Sequence, residues 1–195
     1  MMRSLLRRSL SVSPRLILVI GGTRSGKSRF AVTLAQRLAP RIAYVAMGRP
    51  SDREMRQRIA RHRQERPAHW TTLEHPADPA AALARLEGTT GGAILDCLTT
   101  YLSTLLMRRA SERAILQTIE RLCETIHGLS FPVIIVTNEV GAGVVPAYAL
   151  GRAFRDLSGF ANQIAAASAH QVVSMTAGIP IQIKGPRLTP KELRA

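Results

Sequence analysis

Short apolar runs alternate with longer amphipathic segments along most of this chain. The first apolar run covers residues 15–20, and apolar residues at helical spacing follow it from Lys27 to Leu38. Further strand-like runs lie at residues 42–47, 70–73, 93–97, 132–137, 172–175 and 179–183, and helical patterns at 51–65, 79–86, 98–107, 111–127 and 150–169. Apolar strands alternating with helices are typical of a parallel sheet covered on both sides. We therefore predict an α/β fold with a mostly parallel sheet and helices on both faces.

The chain length of 195 residues suits one domain of ordinary size. We expect this domain at residues 16–184, between a basic tail at 1–15 and a second tail at 185–195. The first fifteen residues hold four arginines and no acidic residue. An organellar transit peptide or a misassigned start would have the same composition, and we favour a simple tail. No apolar run approaches the ~18 residues of a membrane span and no signal-peptide core is present, so we expect a cytoplasmic protein.

The charge balance indicates anionic partners. Lysine and arginine number 27 against 13 acidic residues, a net charge of +14, and all but three of the basic residues are arginine. Because the arginine side chain is a planar fork of donors suited to phosphate, polyphosphate ligands, nucleic acid and anionic lipid are all compatible with this charge. For most of the arginines, a GC-rich genome that encodes arginine at ordinary surface positions explains the charge as well as anionic partners do. The two cysteines, Cys97 and Cys123, form no metal or disulfide motif.

A glycine-rich motif between the first strand and the first helix carries the clearest chemical signal. It matches the P-loop pattern G-x-x-x-x-G-K-[ST] in the required strand-loop-helix setting. Its residues, all predicted to bind nucleotide, are Gly21, Gly22, Thr23, Arg24, Ser25, Gly26, Lys27 and Ser28. The loop N–H groups and the start of the helix would hold phosphate, Lys27 would reach the terminal phosphates, and the Ser28 hydroxyl would bind Mg²⁺.

Polar residues also end two later apolar strands. Asp96 lies at the end of the run at 93–97 and is the predicted second Mg²⁺ ligand, which we favour over the alternative of a helix cap. The segment Thr137-Asn138-Glu139 ends another strand, at the edge where open α/β sheets bind ligands. A turn without function explains these three residues almost as well.

The segment from Arg49 to Arg66 contains seven arginines and one histidine, His62. An S-x-x-E sequence at residues 51–54 predicts a capping box that opens a helix here. On that helix Arg58 and Arg66 share a face with His62, and their charges disfavour the imidazolium form. A neutral imidazole is a nucleophile, and the arginines could hold a phosphate for attack. Taken alone, a solvated basic helix that happens to carry one histidine is the commoner explanation.

Taken together, the motifs resemble the bifunctional adenosylcobinamide kinase / adenosylcobinamide-phosphate guanylyltransferase family of cobalamin biosynthesis. The resemblance runs from about residue 16 to 184. The matching segments are IGGTRSGKS at 20–28, YVA at 44–46, D-x-E-M at 52–55, R-I-x-x-H at 58–62, R-P-x-x-W at 66–70, TNEVG at 137–141, VP at 145–146, FRD at 154–156 and NQ at 162–163.

The resemblance implies two reactions on one RecA-like P-loop domain. ATP or GTP phosphorylates the aminopropanol hydroxyl of adenosylcobinamide. The histidine matching His62 then takes GMP from GTP and passes it to adenosylcobinamide phosphate, giving adenosylcobinamide-GDP. Catalysis is thereby assigned to His62 and Lys27, and the guanine nucleotide site to Arg63, Gln64, Glu65, Arg66 and Glu74. Met47, Gly48, Arg49 and Asp96 are also predicted to bind nucleotide. The family also implies a homotrimer with the nucleotide site near a subunit boundary.

Two departures from the family pattern affect these expectations. Met47 stands where a hydroxyl residue is common, and Asp96 where some members have glutamate, so that Mg²⁺ would be held through water. Two other functions remain as alternatives. A nucleic-acid-stimulated P-loop ATPase would explain the charge, but aromatic residues make up only 4% and none lies among the arginines of residues 49–66. A plain small-molecule kinase would differ only at His62. We expect neither a nucleic-acid partner nor a membrane span.

Overall fold

The computed structural model describes residues 15–50 and 52–186, and the tails predicted at 1–15 and 185–195 lie outside these ranges except for residues 15, 185 and 186. Every predicted strand and helix is present, with bounds that differ by at most two residues. In chain order the elements are β1 (Leu16–Gly21), α1 (Lys27–Leu38), β2 (Ile42–Ala46), α2 (Arg53–Gln64), β3 (Thr71–Glu74), α3 (Pro79–Ala84), β4 (Gly92–Asp96), α4 (Leu98–Met107), α5 (Glu112–Gly128), β5 (Val133–Asn138), α6 (Ala149–Ser168), β6 (Gln171–Thr176) and β7 (Ile179–Lys184).

The strands form one sheet in the order β3-β2-β4-β5-β1-β6-β7. All pairings are parallel except that of the edge strand β7 with β6, which confirms the predicted mostly parallel sheet. The carboxyl ends of β1, β2, β3, β4 and β5 therefore meet at one edge of the sheet. Since ligands of open α/β sheets bind outside these ends, the fold places the P-loop, Asp96 and Asn138 side by side.

Helices cover both faces of the sheet, as the apolar pattern predicts, but unequally. Helix α1 packs on one face, where Phe30 and Leu34 join a core cluster with alternate residues of the strands. Helices α3, α4, α5 and α6 cover the other face, where Leu102, Ile115 and Ile119 are fully buried. Helix α2 belongs to neither layer, because none of its residues is buried.

The predicted capping box at residues 51–54 is wrong. Helix α2 begins at Arg53, one residue later than that motif requires, and its N-cap is Asp52. The Asp52 carboxylate accepts the backbone N–H of Met55 at 2.8 Å. A carboxylate also interacts favourably with the positive end of the helix, so this residue can cap α2 without Glu54. Ser51 itself lies outside the described residues.

The N-terminal end of α6 lies toward the carboxyl edge of the sheet. Asn162 marks the level of that edge, because it accepts from the Thr137 hydroxyl at 2.7 Å and donates to the Asn138 carbonyl at 3.1 Å. The 13 residues from Ala149 to Ala161 precede this contact and amount to roughly 20 Å of helix. Although α6 is the longest helix, with 20 residues, no helix among the described residues is long and apolar enough to cross a membrane.

Candidate active site

The P-loop follows β1 and turns into α1 through two positions that require glycine. A side chain at Gly21 would approach the Met175 carbonyl oxygen to 2.6 Å, and Gly26, the N-cap of α1, has a φ of 90°. The turn is closed by a hydrogen bond from the Ser25 N–H to the Gly22 carbonyl at 3.2 Å. The Ser25 hydroxyl is buried without a hydrogen-bond partner among the described residues. A phosphate oxygen is a natural acceptor for such a hydroxyl.

Lys27 lies at the first position of α1 and is only 6% exposed. Its ammonium donates to the Gly22 carbonyl at 2.9 Å and so extends back across the loop. Burial lowers the pKa of Lys27, while the nearby Cys97 and Asp96 raise it and Arg58 lowers it further. Arg58 belongs to α2, the helix that also carries His62. An anion bound in the loop would therefore meet charges from both helices.

Asp96 ends β4, and its carboxylate connects Tyr44 with His62. The Tyr44 hydroxyl donates to Asp96 Oδ2 at 2.5 Å, and His62 Nδ1 lies 3.7 Å from the same oxygen. The side chain of Asp96 is 8% exposed and that of His62 is 28% exposed. Burial raises the pKa of Tyr44 well above its ordinary value, and the Asp96 charge raises it further, so the hydroxyl remains a donor. The sequence predicted His62 and Asp96 as separate groups, and the structure brings them together.

Arg66, just beyond α2, stacks on the ring of Tyr44 with its guanidinium carbon 3.7 Å from the ring centroid. Its side chain is 7% exposed, and its Nε and Nη1 atoms are buried without a hydrogen-bond partner among the described residues. Glu74, at the end of β3, lies 3.9 Å from Arg66 Nη1 and accepts from Arg63 Nε and Nη2 at 3.2 and 3.0 Å. The two arginines are thus held at the edge of the sheet, and the free N–H groups of Arg66 can receive an anion.

The other residues predicted to bind nucleotide lie around this edge with unequal access to it. Met47 is 4% exposed and packs in the core, and its backbone N–H donates to the Asp96 carbonyl at 2.8 Å. Gly48 faces Ile59 of α2, so that the segment after β2 passes beneath that helix. The exposed residues of the predicted set are Gly22, Thr23, Arg24, Arg49, Arg63, Gln64, Glu65 and Glu74. Their roles, and that of Ser28, stay predictions.

Sequence reasoning missed two roles. Tyr44 donates a hydrogen bond to Asp96, and Glu74 pairs with Arg63 and Arg66. Both residues lie on strands, and the parallel register pairs Ala46 with both Asp96 and Glu74. That register makes three strand ends neighbours, and it is set by tertiary packing. Alternation along β2 does place Tyr44 and Ala46 on one face, but this alternation does not show which strands lie next to β2.

A family model described as cobinamide kinase / cobinamide phosphate guanyltransferase matches residues 17–183. The chain belongs to this family. The match spans the P-loop, α2 with His62, and the ends of β3, β4 and β5, so the site described above lies wholly within it.

Three curated relatives agree with this assignment. The bifunctional adenosylcobalamin biosynthesis protein CobP of Pseudomonas aeruginosa is 42% identical over 174 residues, which cover 86% of this chain and 96% of the relative. The proteins named CobU from Salmonella typhimurium and Escherichia coli are 38% and 37% identical over 181 residues, and these cover 87% of the chain and 99% of each relative.

Family membership confirms the enzyme class predicted from the motifs. The chain is a bifunctional enzyme, a cobinamide kinase and cobinamide phosphate guanylyltransferase. Its P-loop suits a nucleoside triphosphate, the substrate that both reactions need. The alternatives of a nucleic-acid-stimulated ATPase and of a kinase without nucleotidyl transfer are therefore set aside.

Proposed function

We propose that His62 carries GMP between GTP and adenosylcobinamide phosphate as a covalent intermediate. The observation that supports this is the position of His62 Nδ1, 3.7 Å from a buried carboxylate oxygen at the carboxyl edge of the sheet. A carboxylate beside Nδ1 favours the tautomer with a proton on that nitrogen, which leaves the lone pair on Nε2. The second ring nitrogen is then the nucleophile.

In the first half-reaction Nε2 attacks the α-phosphorus of GTP, with the nucleotide phosphates in the P-loop. The N–P bond forms as the bond from the α-phosphorus to the bridging oxygen breaks, and pyrophosphate leaves with that electron pair. The positive charge that develops on the ring is stabilised by Asp96 through Nδ1–H. Lys27 and Arg66 stabilise negative charge on the phosphates.

In the second half-reaction a phosphate oxygen of adenosylcobinamide phosphate attacks the same phosphorus. The N–P bond breaks, its electron pair returns to Nε2, and adenosylcobinamide-GDP leaves. The kinase reaction uses the same P-loop, with ATP or GTP giving its γ-phosphoryl group to the aminopropanol hydroxyl. Expelling pyrophosphate and transferring the γ-phosphoryl group both place charge on phosphate oxygens that Lys27 can reach.

Mg²⁺ is the expected cofactor, and the residues present suit it. No group of three or more histidine, cysteine, aspartate or glutamate side chains among residues 15–50 and 52–186 forms a metal site. Mg²⁺ in phosphoryl-transfer sites takes one or two protein oxygens together with phosphate and water, so Asp96 and the Ser28 hydroxyl suffice. The ion would offset charge on the phosphates. Tyr44 and His62 both lie at Asp96 Oδ2, which leaves Oδ1 for the ion or its water.

A homotrimer in the cytoplasm remains our expectation for the assembly. Its support in this chain is the edge strand β7, where Ile179, Ile181 and Ile183 alternate with residues of the other face and are 63%, 49% and 64% exposed. Sedimentation of the purified protein tests the trimer directly.

The labelling experiment that tests the intermediate uses GTP with ³²P in the α position. We expect acid-labile, base-stable label on the wild-type protein and none from GTP labelled in the γ position. His62→Ala should abolish the label. His69→Ala is the matched control, since His69 is an exposed histidine close by in the chain, and it should retain the label. Label that persists in His62→Ala would contradict the proposal.

A further inference from the structure

Asn138, at the end of β5, has a side-chain oxygen with nothing to accept from. The residue pairs with Gly21, the first residue of the P-loop, and β5 lies between β1 and the strand that carries Asp96. Asn138 Oδ1 is buried, and no described residue donates to it. A buried acceptor without a donor costs free energy, so a donor from a bound molecule is expected at this position.

The Asn138 amide contacts Thr99. Its Nδ2 donates to the Thr99 hydroxyl oxygen at 2.9 Å, and its backbone N–H donates to the same oxygen at 3.3 Å. The Thr99 hydroxyl oxygen lies 3.2 Å from Cys97 Sγ. In this orientation of the amide, the atom without a described partner is the oxygen. Triphosphate oxygens only accept hydrogen bonds, so a nucleotide phosphate does not satisfy it, whereas an alcohol does.

The chain that follows Asn138 presents an exposed apolar surface. Four large side chains lie within seven residues, with exposures of 94% for Val144, 59% for Val145, 68% for Tyr148 and 55% for Leu150. No residue from 140 to 151 is charged. We call these four side chains the apolar wall; they lie in the loop after β5 and at the start of α6.

The segment that carries the apolar wall is held in place. Arg152 Nη1 donates to the carbonyls of Pro146 and Ala147 at 3.1 and 2.7 Å. Gly151 allows close packing, since a side chain there would come within 2.7 Å of Pro146 and 2.8 Å of the Tyr148 ring. At its other end the segment is tied to the P-loop, because the Glu139 N–H donates to the Gly21 carbonyl at 3.0 Å. The apolar wall thus begins five residues after a residue that is bonded to the P-loop.

The two sides of the site differ in chemistry. On the β3 side, Arg63, Arg66 and Glu74 offer charges and free N–H groups. On the β5 side, the structure offers the Asn138 oxygen, the exposed carboxylate of Glu139 and the apolar side chains of the segment that follows. The side that carries the arginines suits GTP. The β5 side suits a large molecule that has an apolar ring face and carries an alcohol, which describes a corrinoid with its aminopropanol arm.

We propose that the acceptor corrinoid binds on the β5 side, with its ring against the apolar wall and its aminopropanol hydroxyl donating to Asn138 Oδ1. This rests on the kinase and guanylyltransferase function and adds the place where the second substrate binds. The hydrogen bond orients the hydroxyl oxygen toward a γ-phosphoryl group in the adjoining P-loop. Once phosphorylated, the arm has no hydroxyl to donate, so Asn138 serves the kinase reaction while the apolar wall serves both.

The first test distinguishes a contact of Asn138 with the corrinoid hydroxyl from a contact with the nucleotide. Asn138→Ala should lower kcat/KM for phosphorylation of cobinamide by roughly 10- to 100-fold, since it removes a hydrogen bond to the reacting group. Labelling of His62 by GTP alone needs no corrinoid and should change by less than about threefold, which also reports an intact fold. Asn138→Asp keeps an oxygen at this position and should retain more phosphorylation than the alanine variant. A parallel loss of labelling would instead place Asn138 at the nucleotide or its metal ion and overturn the assignment.

The second test concerns the apolar wall. Val144→Ser and Tyr148→Ser should each raise KM for the corrinoid by roughly tenfold, consistent with the burial of one large side chain, and leave KM for GTP unchanged. Met107→Ser is the matched control, because Met107 is 73% exposed but lies at the end of α4. Unchanged corrinoid KM together with altered sedimentation would show that the apolar wall is a contact between copies of the chain.

These outcomes can be told apart from failure of the histidine intermediate. Formation of the GDP-linked corrinoid is followed by mass spectrometry, which needs no covalent label. If the wild type forms product without label, the mechanism at His62 is wrong while the corrinoid KM values still test the apolar wall. If the label forms normally and the corrinoid KM of both wall variants equals that of the wild type, the acceptor site lies elsewhere.

Discussion

Helices α1 and α2 have the same length and carry the two residues that we propose as catalytic, Lys27 and His62, yet they are held in different ways. Both have 12 residues and follow a strand of the sheet. Six residues of α1 are buried, including Lys27, whereas none of α2 is. Lys27 is thus held by the hydrophobic core, whereas α2 is held by polar contacts, from His62 to Asp96 and from Arg63 to Glu74. Substitutions beneath α1 should therefore lower the free energy of unfolding, whereas substitutions beneath α2 should lower the reaction rates.

The largest expected effect is on stability and lies under α1. Phe30 is 1% exposed, and Phe30→Ala should reduce the free energy of unfolding by about 3–5 kcal/mol, because it leaves a cavity between helix and sheet. Ile59→Ala on α2 is the counterpart and should cost less than about 1 kcal/mol. Urea unfolding followed by circular dichroism measures both. Equal losses would mean that α2 is held by packing after all.

Lys27→Met should lower the reaction rates without lowering the stability of the protein. It removes the ammonium but keeps an unbranched side chain, so phosphorylation and labelling of His62 should both fall by roughly 10²- to 10³-fold. Burial lowers the pKa of Lys27, which means that the charged form is disfavoured where it lies. The melting temperature should accordingly stay level or rise. A marked fall in melting temperature would contradict this account.

Tyr44→Phe tests the polar contacts beneath α2. The variant loses the hydroxyl that donates to Asp96 at 2.5 Å but keeps the ring under Arg66. We expect the rate of His62 labelling to fall roughly 5- to 10-fold, with little change in phosphorylation. This is less than the full effect of a hydrogen bond to a charged group, because Tyr44 acts on His62 only through Asp96. Rapid-quench measurement of the labelling burst gives the rate. If both reactions slow equally, Tyr44 acts through Asp96 on the shared phosphate site and not on His62.

The smallest effect should come from Glu74→Gln. The Arg63–Glu74 pair is partly exposed, with side-chain exposures of 59% and 30%, and such pairs contribute little free energy. KM for GTP should rise about two- to threefold at low salt, and the difference should shrink near 1 M KCl, where charges are screened. Stability should be unchanged. A salt-independent rise would indicate that Glu74 contacts the nucleotide itself.

Most of the secondary structure could be predicted from the sequence because its signals are local. Helix α4 runs from Leu98 to Met107 as predicted, and Ser111 caps α5 by accepting from the Ala114 N–H. The start of α2 was placed one residue early, since Ser51 and Asp52 are both good caps and only the backbone path after β2 decides between them. The P-loop was recognised for the same local reason. Its eight contiguous residues contain the glycines, lysine and serine that the turn requires.

The arrangement of the site lay beyond local signals. His62 was predicted to be influenced by the arginines on its own helix face, and in the structure Asp96 is its neighbour at Nδ1. The unpaired oxygen of Asn138 depends on Thr99, which is 39 residues away in the chain. Neither contact follows from spacing along one element.

The amino-acid sequence by itself determined the alternation of strands and helices, the phosphate-binding turn, and the residue types available for catalysis. Backbone conformation and apolar periodicity act over a few residues, and a short window of sequence contains them. Only the tertiary structure decided which strand ends are neighbours, because strand order depends on how helices pack over the whole sheet. That order gives His62 its carboxylate on one side of the P-loop and leaves Asn138 with a free oxygen on the other.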